Sequence, residues 1–281
     1  MKNKKAVLLF ILFNVFCATA CSTGYVASTK NSLKTASGEK IYSESIEMKT
    51  PQPKLTLGEK LTYQIRWLGL PAGIIIASVG PKLEQIAGQD TYIVKVTAKT
   101  NDFCSAIYKI NDEFTSYIAT NNMFTLRHIV HRREGRYKKD SVTDFDQIAH
   151  MAYFKNMLDN SQKTFKIPEK AQDTLSACYY FRVLELKMPD RIEYSVVNNE
   201  QNYELFGAIE DKKFIEISGL GNFESFFIQP YAKEIGGEQV KKGKVSGYFS
   251  ADEKRLPLLA IVEAPLFTKV TATLSKIEYE K

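Results

Sequence analysis

Hydrophobic residues recur at every second position over most of the chain from Leu55 onward, and β-branched and aromatic residues dominate these stretches. Alternation of this kind is typical of β-strands with one buried and one solvent-facing side. Such segments include LTYQIRWLG, GIIIASVG, TYIVKVTAK, EFTSYIAT and FTLRHIVHR. Only short turn sequences separate them, which is the spacing of antiparallel strands and not of strand–helix–strand units. The pattern therefore predicts a mainly β fold.

One segment departs from this alternation. In AQDTLSACYYFRVLELK the apolar residues lie three or four positions apart, which predicts a helix over residues 172–187 with Asp173 as its N-cap. We interpret residues 55–281 as a single mainly β domain of about a dozen antiparallel strands, since a long twisted sheet tends to curl. The predicted architecture is a curved antiparallel sheet, barrel-like or a half-barrel, that closes over this helix. A two-sheet β-sandwich is the alternative.

The N-terminus has a different pattern. A basic start, MKNKK, precedes the 11-residue apolar run AVLLFILFNVF and then small residues, which is the organisation of an export signal. A membrane-spanning helix needs about 20 apolar residues, so an uncleaved anchor is the less favoured alternative. We predict that residues 1–20 are a signal peptide.

A cysteine follows this segment directly. The sequence ATAC, ending at Cys21, resembles the lipobox of bacterial lipoproteins, although Ala18 stands where a leucine is usual. The resemblance implies that Cys21 is acylated and holds the protein on a membrane through its N-terminal acyl chains. The alternative is an ordinary signal ending in Ala18-Thr19-Ala20. Residues 21–54 are rich in Ser, Thr, Lys and Glu, and we interpret them as a flexible tether with a reach of roughly 30 Å.

Charge and cysteine usage narrow the function further. Loss of residues 1–20 removes three lysines and no acid, so the formal net charge falls from +6 to +3. A nucleic-acid-binding protein normally carries a larger and more concentrated basic excess, and we expect no nucleic-acid partner. Two further cysteines, Cys104 and Cys178, either pair as a disulfide or lie apart as buried thiols.

No motif in the sequence indicates a catalytic residue, a metal or a cofactor. The nucleophile motif G-x-S-x-G is absent. His128 and His131 lie three apart on a predicted strand, so they should face opposite sides. Six basic residues cluster about a predicted hairpin turn at Glu134-Gly135. They either contact lipid head groups or form a solvated hairpin whose charges are offset by neighbouring acids: Arg127, Arg132, Arg133, Arg136, Lys138 and Lys139.

The predicted helix carries an unusual set of polar side chains, Asp173, Ser176, Tyr179 and Arg182. One interpretation is that these four residues line a ligand-binding pocket. The other is structural: Asp173 caps the helix, and Arg182 is buried and paired with a carboxylate from the sheet.

Three sequence blocks resemble the domain-of-unknown-function 3108 family of bacterial exported proteins, over roughly residues 55–279. The resemblance implies a mostly β fold and a periplasmic or envelope setting, and it brings no reaction, ligand or catalytic residue. The blocks are GEKLTYQIRWLGLPAG, with Gly58, Glu59, Leu61, Tyr63, Gly69, Ala72 and Gly73; DTLSACYYFR, with Asp173, Leu175, Ser176, Tyr179 and Arg182; and SADEKRLPL, with Asp252, Arg255, Leu256 and Pro257.

Two classes of function are compatible with these features. The first is a non-catalytic lipoprotein of the cell envelope that faces the periplasm and binds a lipid, a glycan or an envelope partner in a concave cleft. Because Ser22 and not an acid follows Cys21, the outer membrane is the expected location. The alternative is a hydrolase of envelope glycans that uses paired carboxylates, with Asp112, Glu113, Asp252 and Glu263 as candidates.

Overall fold

The computed structural model describes residues 55–186, 190–209, 212–237, 240–242, 245–264 and 268–280. The predicted signal peptide, the acylated Cys21 and the tether at residues 21–54 lie outside the described residues, and these assignments stay predictions. No helix in the described part of the chain is long and apolar enough to cross a membrane.

Most of the described residues belong to β-strands, as the alternating pattern predicts. The strands are β1 (Glu59–Trp67), β2 (Leu70–Val79), β3 (Glu84–Ile86), β4 (Gln89–Thr100), β5 (Asn111–Ala119), β6 (Thr125–Glu134), β7 (Tyr137–Asp146), β8 (Met151–Asn156), β9 (Gln162–Lys166), β10 (Gln172–Asp173), β11 (Asp190–Asn198), β12 (Gln201–Ile209), β13 (Lys213–Ile217), β14 (Gly221–Ile228), β15 (Tyr231–Glu234), β16 (Val240–Lys242), β17 (Val245–Ser250), β18 (Pro257–Ala264) and β19 (Thr268–Tyr279). Two helices, α1 (Asp102–Ile107) and α2 (Ser176–Val183), interrupt the series.

Backbone hydrogen bonds join these strands into one continuous sheet. Neighbouring strands follow the order β9-β8-β7-β6-β5-β4-β2-β1-β19-β18-β17-β14-β12-β11, and each of these pairs is antiparallel. Among the strands that the structure describes, only β10 pairs in parallel, with β11. The described strands exceed the predicted dozen partly because bent strands are divided: Pro230, which has no N–H to donate, separates β14 from β15, and both pair with β12.

The sheet is curved, and its two ends approach one another. Asn202 at the start of β12 donates from Nδ2 to the carbonyl of Lys166 at the end of β9, at 2.8 Å. Lys163 in β9 lies 3.4 Å from Glu200 in the turn between β11 and β12. No ladder joins β9 to β11 or β12 among the strand pairings of the described residues, so the sheet is open but barrel-like. This confirms the predicted curved sheet, and the sandwich alternative is not what the structure adopts.

The predicted main helix lies on the concave side of the sheet. Leu175, at its N-terminal end, and Tyr179 pack into one buried hydrophobic cluster. Ala177 and Phe181, on another side of the same helix, pack into a second cluster. The sheet thus closes over α2, which contacts both halves of the interior. We call the side of the sheet that faces α2 the inner face.

Helix α2 is shorter than predicted. It covers Ser176–Val183 and not residues 172–187, because Gln172 and Asp173 instead form the short strand β10. Asp173 is therefore not the N-cap; Leu175 occupies that position and makes no side-chain cap hydrogen bond. The Asp173 carboxylate still accepts hydrogen bonds from the backbone N–H groups of Leu175 (2.7 Å) and Ser176 (3.0 Å). These N–H groups lie at the start of the helix and have no partner within it, so Asp173 satisfies them although it is not itself a helical residue.

The second helix, α1, was not predicted. Asn101 is its N-cap, and the Asn101 side chain accepts a hydrogen bond from the Cys104 N–H at 2.9 Å. Both cysteines of the described part are free thiols. Cys104 packs in a small cluster with Ile65 and Ala72, whereas Cys178 lies beside the clusters around α2. The structure thus favours the separate-thiol alternative over the disulfide.

Candidate functional site

A cleft opens on the inner face where strands β5 to β9 approach the turn between β11 and β12. We call it the inner cleft. Its volume is about 50 Å³, which is room for a few water molecules or a small polar group and not for a whole lipid or oligosaccharide. Four phenylalanines, Phe114, Phe145, Phe154 and Phe165, contribute to its wall. The cleft therefore has a partly aromatic wall, and polar side chains make up the rest of its lining.

Several polar side chains interrupt this aromatic wall because of the period of two along β6 and β7. His128, Val130 and Arg132 in β6 point inward, and so do Lys139, Ser141 and Thr143 in β7. The ladder pairs Arg132 with Lys139, Val130 with Ser141, and His128 with Thr143. The cleft thus contains two cations directly opposite one another, an arrangement that costs free energy unless other groups offset it.

Arg132 has strong acidic partners. Its side chain is 7% exposed and donates from Nε to Glu134 Oε1 at 2.9 Å, and from Nη2 to the same oxygen. Asp112 Oδ2 lies 3.8 Å from Arg132 Nε. The guanidinium group also lies 5.3 Å from the centre of the Tyr137 ring. Most of its charge is therefore offset within the protein.

Lys139 has weaker compensation. Its Nζ donates to Asn199 Oδ1 at 3.2 Å and lies 5.5 Å from the centre of the Phe154 ring. Burial lowers the pKa of Lys139, nearby Glu200 opposes this shift, and Arg132 adds to it. A partly buried ammonium group next to an amide and an aromatic ring is well suited to contact an anion that enters the cleft.

His128 is the third titratable group of the cleft. Its Nε2 atom is buried, has no hydrogen-bond partner among the described residues, and lies 3.7 Å from Asp173 Oδ1. Burial lowers the pKa of His128, although Asp173 opposes this shift. The imidazole ring stacks with Phe114 at 6.5 Å between centroids.

The Asp173 carboxylate lies behind His128 in a dense hydrogen-bond network. Oδ1 accepts from Ser116 Oγ at 2.8 Å, and Oδ2 accepts from Thr125 Oγ1 at 2.9 Å. Ser176 Oγ lies 2.6 Å from Thr125 Oγ1 and 2.9 Å from the Asp173 N–H. All of these residues are fully buried. The network ties β5, β6, β10 and the start of α2 together.

The other two residues predicted from the helix meet a different partner. Arg182 donates from Nη1 and Nη2 to the two oxygens of Glu59 in β1, at 2.7 and 2.8 Å. Its guanidinium carbon lies 5.2 Å from the centre of the Tyr179 ring. Burial alone would lower the pKa of Arg182, but Glu59 and the neighbouring phenols hold it above its ordinary value.

These contacts bear on the two interpretations of the helix. The structural one is supported, since Arg182 is buried and paired with a carboxylate from the sheet. Asp173, Ser176, Tyr179 and Arg182 are all buried, and none of them lines the inner cleft. Their assignment as ligand-binding residues stays a prediction, and any role for Asp173 in binding would act through His128.

The four candidate carboxylates of the hydrolase alternative have four different surroundings. Asp112 is buried beneath Arg132, whereas its neighbour Glu113 faces outward and pairs with Lys95 at 2.7 Å. Asp252 accepts hydrogen bonds within the turn that follows β17. Glu263 is an exposed residue of β18. The carboxyl that does interact with Asp112 belongs to Glu134, on the adjacent strand, which sequence spacing alone could not indicate.

Asp112 and Glu134 form a buried acidic pair. Burial raises the pKa of Asp112 to about 7, the Arg133 backbone N–H opposes the shift, and the neighbouring Glu134 carboxyl adds to it. In the described structure Glu134 Oε2 is buried and accepts no hydrogen bond. A proton held on Asp112 would supply the missing donor.

The basic cluster around the β6–β7 turn is largely offset by local acids. Arg133 pairs with Asp140 at 2.7 Å, and Arg127 pairs with Asp144 across the ladder. His131 also faces outward and lies 2.9 Å from Asp140, which confirms that it and His128 occupy opposite faces. Among the described residues no group of three His, Cys, Asp or Glu side chains is arranged to hold a metal ion.

The model of one family, described as a protein of unknown function (DUF3108), matches residues 62–275. The chain belongs to this family. No curated protein matches the chain.

Three solved structures match the chain at low sequence identity. A β-barrel-like protein of the DUF1849 family from Brucella abortus superposes with a TM-score of 0.56 at 6% identity, over 80% of this chain and 99% of that one. A protein of Bacteroides fragilis described as exported, with a YmcC-like fold, gives a TM-score of 0.34 at 7% identity, over 79% of this chain and 96% of that one. A protein of Parabacteroides distasonis described as a lipoprotein gives a TM-score of 0.30 at 9% identity, over 81% of this chain and 97% of that one. The first of these supports the barrel-like fold of this DUF3108 member.

Proposed function

We propose that this DUF3108 protein is a non-catalytic binding module of the bacterial cell envelope, where acyl chains on Cys21 hold it with the domain facing the periplasm. Its ligand is an amphipathic envelope molecule, a lipid or a glycan, whose anionic group enters the inner cleft. The observation that carries the proposal is Lys139, a partly desolvated cation on the inner face whose nearest polar partner is an amide and whose surroundings are aromatic.

The size of the cleft defines what enters it. About 50 Å³ accommodates a carboxylate or a phosphate group but not the body of a lipid. The remainder of the ligand would lie along the opening near Asn199 and Glu200. Loss of one charge-assisted contact costs about 1.5–3 kcal/mol, or roughly ten- to a hundredfold in affinity.

The proposal is tested with Lys139→Met and the matched control Lys138→Met, which removes the same charge from the exposed side of the same strand. A dansyl-labelled fatty acid serves as the anionic probe, and its methyl ester serves as the uncharged one. We expect the wild type and the Lys138 variant to prefer the acid by tenfold or more, and the Lys139 variant to lose this preference. Equal binding of acid and ester by the wild type would contradict the proposal.

The natural ligand is identified by native mass spectrometry and extraction of protein purified from its own envelope. We expect an acidic lipid or acidic glycan to accompany the wild type and the Lys138 variant and to be depleted in the Lys139 variant.

A comparison of Cys21→Ala with the wild type by intact mass and detergent partitioning tests the anchor, and equal water solubility of the two proteins would contradict it.

The hydrolase alternative is tested on the Asp112–Glu134 pair, because a proton shared by two carboxyls is the kind of group that a general acid requires. Both residues are almost fully buried, at 2% and 3% exposed, so a glycan could reach them only if the surrounding strands opened. We expect no turnover of purified cell-wall glycans by the wild type. Turnover that Asp112→Asn abolishes without loss of fold would overturn the binding proposal.

A further inference from the structure

Four large apolar side chains are exposed at one end of the sheet. Leu68 and Leu70, at the turn between β1 and β2, are 60% and 62% exposed, and Phe103 and Ile107 of α1 are 68% and 69% exposed. We call these four residues the apolar tip. Single exposed leucines are common on proteins, but several together mark an interaction surface.

The two parts of the apolar tip are held side by side. Asn101, the N-cap of α1, donates from its backbone N–H to the Ala72 carbonyl at 2.9 Å and from Nδ2 to the Pro71 carbonyl at 2.8 Å. Cys104, on the buried side of α1, packs in the same cluster as Ala72. Phe103 and Ile107 lie four residues apart and therefore share the opposite, exposed side of the helix. The surface is thus supported by a rigid base.

The backbone at Leu68 supports a functional role for its side chain. Leu68 and Gly69 have φ values of +51° and +78°, the left-handed pair of a tight hairpin turn. Asn, Asp or Gly is favoured at both positions of such a turn, and a leucine there is strained as well as exposed. Since Asn would suit both the backbone and the solvent better, the leucine is best explained by a contact that its side chain makes elsewhere.

Charged residues around the apolar tip are mainly basic. Arg66, Lys99 and Lys109 are exposed on the flanking segments, and Asp102 is the acidic residue of α1. Apolar side chains that project from loops and are flanked by cations suit the head-group region of a bilayer with anionic lipids. A stable protein partner would instead need about 800 Å² on each side, more than four side chains at a narrow end provide.

We propose that the apolar tip inserts into the head-group layer of an anionic lipid bilayer. This surface is separate from the inner cleft, so the proposal stands independently of the ligand proposed above. The described chain begins at the other end of β1, a strand that spans about 30 Å. Residues 21–54 can extend to roughly 110 Å, enough for an N-terminal anchor and the apolar tip to engage the same bilayer.

The only tryptophan of the chain, Trp67, adjoins Leu68 and provides the measurement. The full-length protein is reconstituted into vesicles that contain phosphatidylglycerol and lipids brominated on the acyl chains. We expect bromine to quench Trp67 in the wild type. Leu68→Asn combined with Leu70→Ser should weaken this quenching, because loss of each leucine should lower the ratio of bilayer-inserted to free apolar tip by roughly tenfold.

The matched control is Ile148→Ser, which removes a 90% exposed apolar side chain from the turn between β7 and β8, at the other end of the strands. Its quenching should equal that of the wild type. Thermal unfolding controls for folding, and Leu68→Asn should leave the melting temperature unchanged or raised because it relieves the turn. The proposal is overturned if brominated lipids leave wild-type emission unchanged, or if the Leu68/Leu70 variant is quenched as strongly as the wild type.

Discussion

The buried ion pair between Glu59 and Arg182 allows the most specific prediction about stability. The two residues are separated by 123 positions in the sequence, and their side chains are 1% and 6% exposed. Glu59→Gln keeps the shape of the side chain but leaves the Arg182 guanidinium in the interior without its counter-charge. Breaking one side of a buried pair in this way typically costs about 3–5 kcal/mol of unfolding free energy.

A double replacement separates the charge effect from the packing effect. Glu59→Met combined with Arg182→Met leaves no buried charge, so we expect it to be much less destabilised than the sum of the two single variants predicts. Some loss should remain, because Arg182 also donates from Nε to the Lys254 carbonyl at 3.1 Å and lies against the Tyr179 ring. Chemical denaturation followed by far-UV circular dichroism gives each free energy.

The matched control lies next to Glu59 on the same strand. Lys60 pairs with Glu280 at 3.2 Å, with side chains 32% and 59% exposed, and loss of such a surface pair costs about 0–1 kcal/mol. The argument fails if Glu59→Gln destabilises the protein no more than Lys60→Met does. The argument also fails if the double variant loses as much unfolding free energy as the single variants Glu59→Met and Arg182→Met lose together.

Further predictions concern the hydrogen-bond network, pH dependence and the cysteines. Asp173→Ala should cost about 3 kcal/mol or more of unfolding free energy, because it leaves several buried donors without an acceptor. Asp159→Ala, in an exposed turn, should cost far less in the same denaturation assay. Equal losses in the two variants would contradict the stabilising role of the network. Burial raises the pKa of Asp112 from 3.8 to about 7, so between these pH values the folded state binds more protons than the unfolded state. The free energy of unfolding should therefore fall as pH rises from about 4 to about 7. Asp112→Asn should flatten this pH dependence, and an unchanged slope in the variant would contradict the assignment to Asp112. Cys104 and Cys178 should each react with a thiol reagent after non-reducing denaturation, whereas a mass two hydrogens lower without labelling would indicate a disulfide.

The sequence alone determined the β class, the curved sheet and the presence of α2. Period-two alternation indicates strands with one buried face, and the run of Leu175, Tyr179 and Leu186 indicates a helix, because these patterns reflect local geometry. The β6–β7 hairpin was also predictable, because the sequence places Gly135 between two strand-like segments, and in the structure this glycine has the positive φ of +57° that a tight turn favours. Boundaries were less predictable: β10 replaced the expected first turn of α2 because the Thr125 and Ser176 hydroxyls bond the Asp173 backbone.

The tertiary structure decided which polar residues share a site. Lys139 and Arg132 meet only through the ladder of β6 and β7, and Asp112 meets Glu134 only because β5 pairs with β6. Arg182 was expected to find a carboxylate in the sheet, but the choice of Glu59 depends on how the sheet curves around α2. Register and curvature are set by the packing of the whole chain, so contacts between residues far apart in sequence follow from the fold and not from the local pattern.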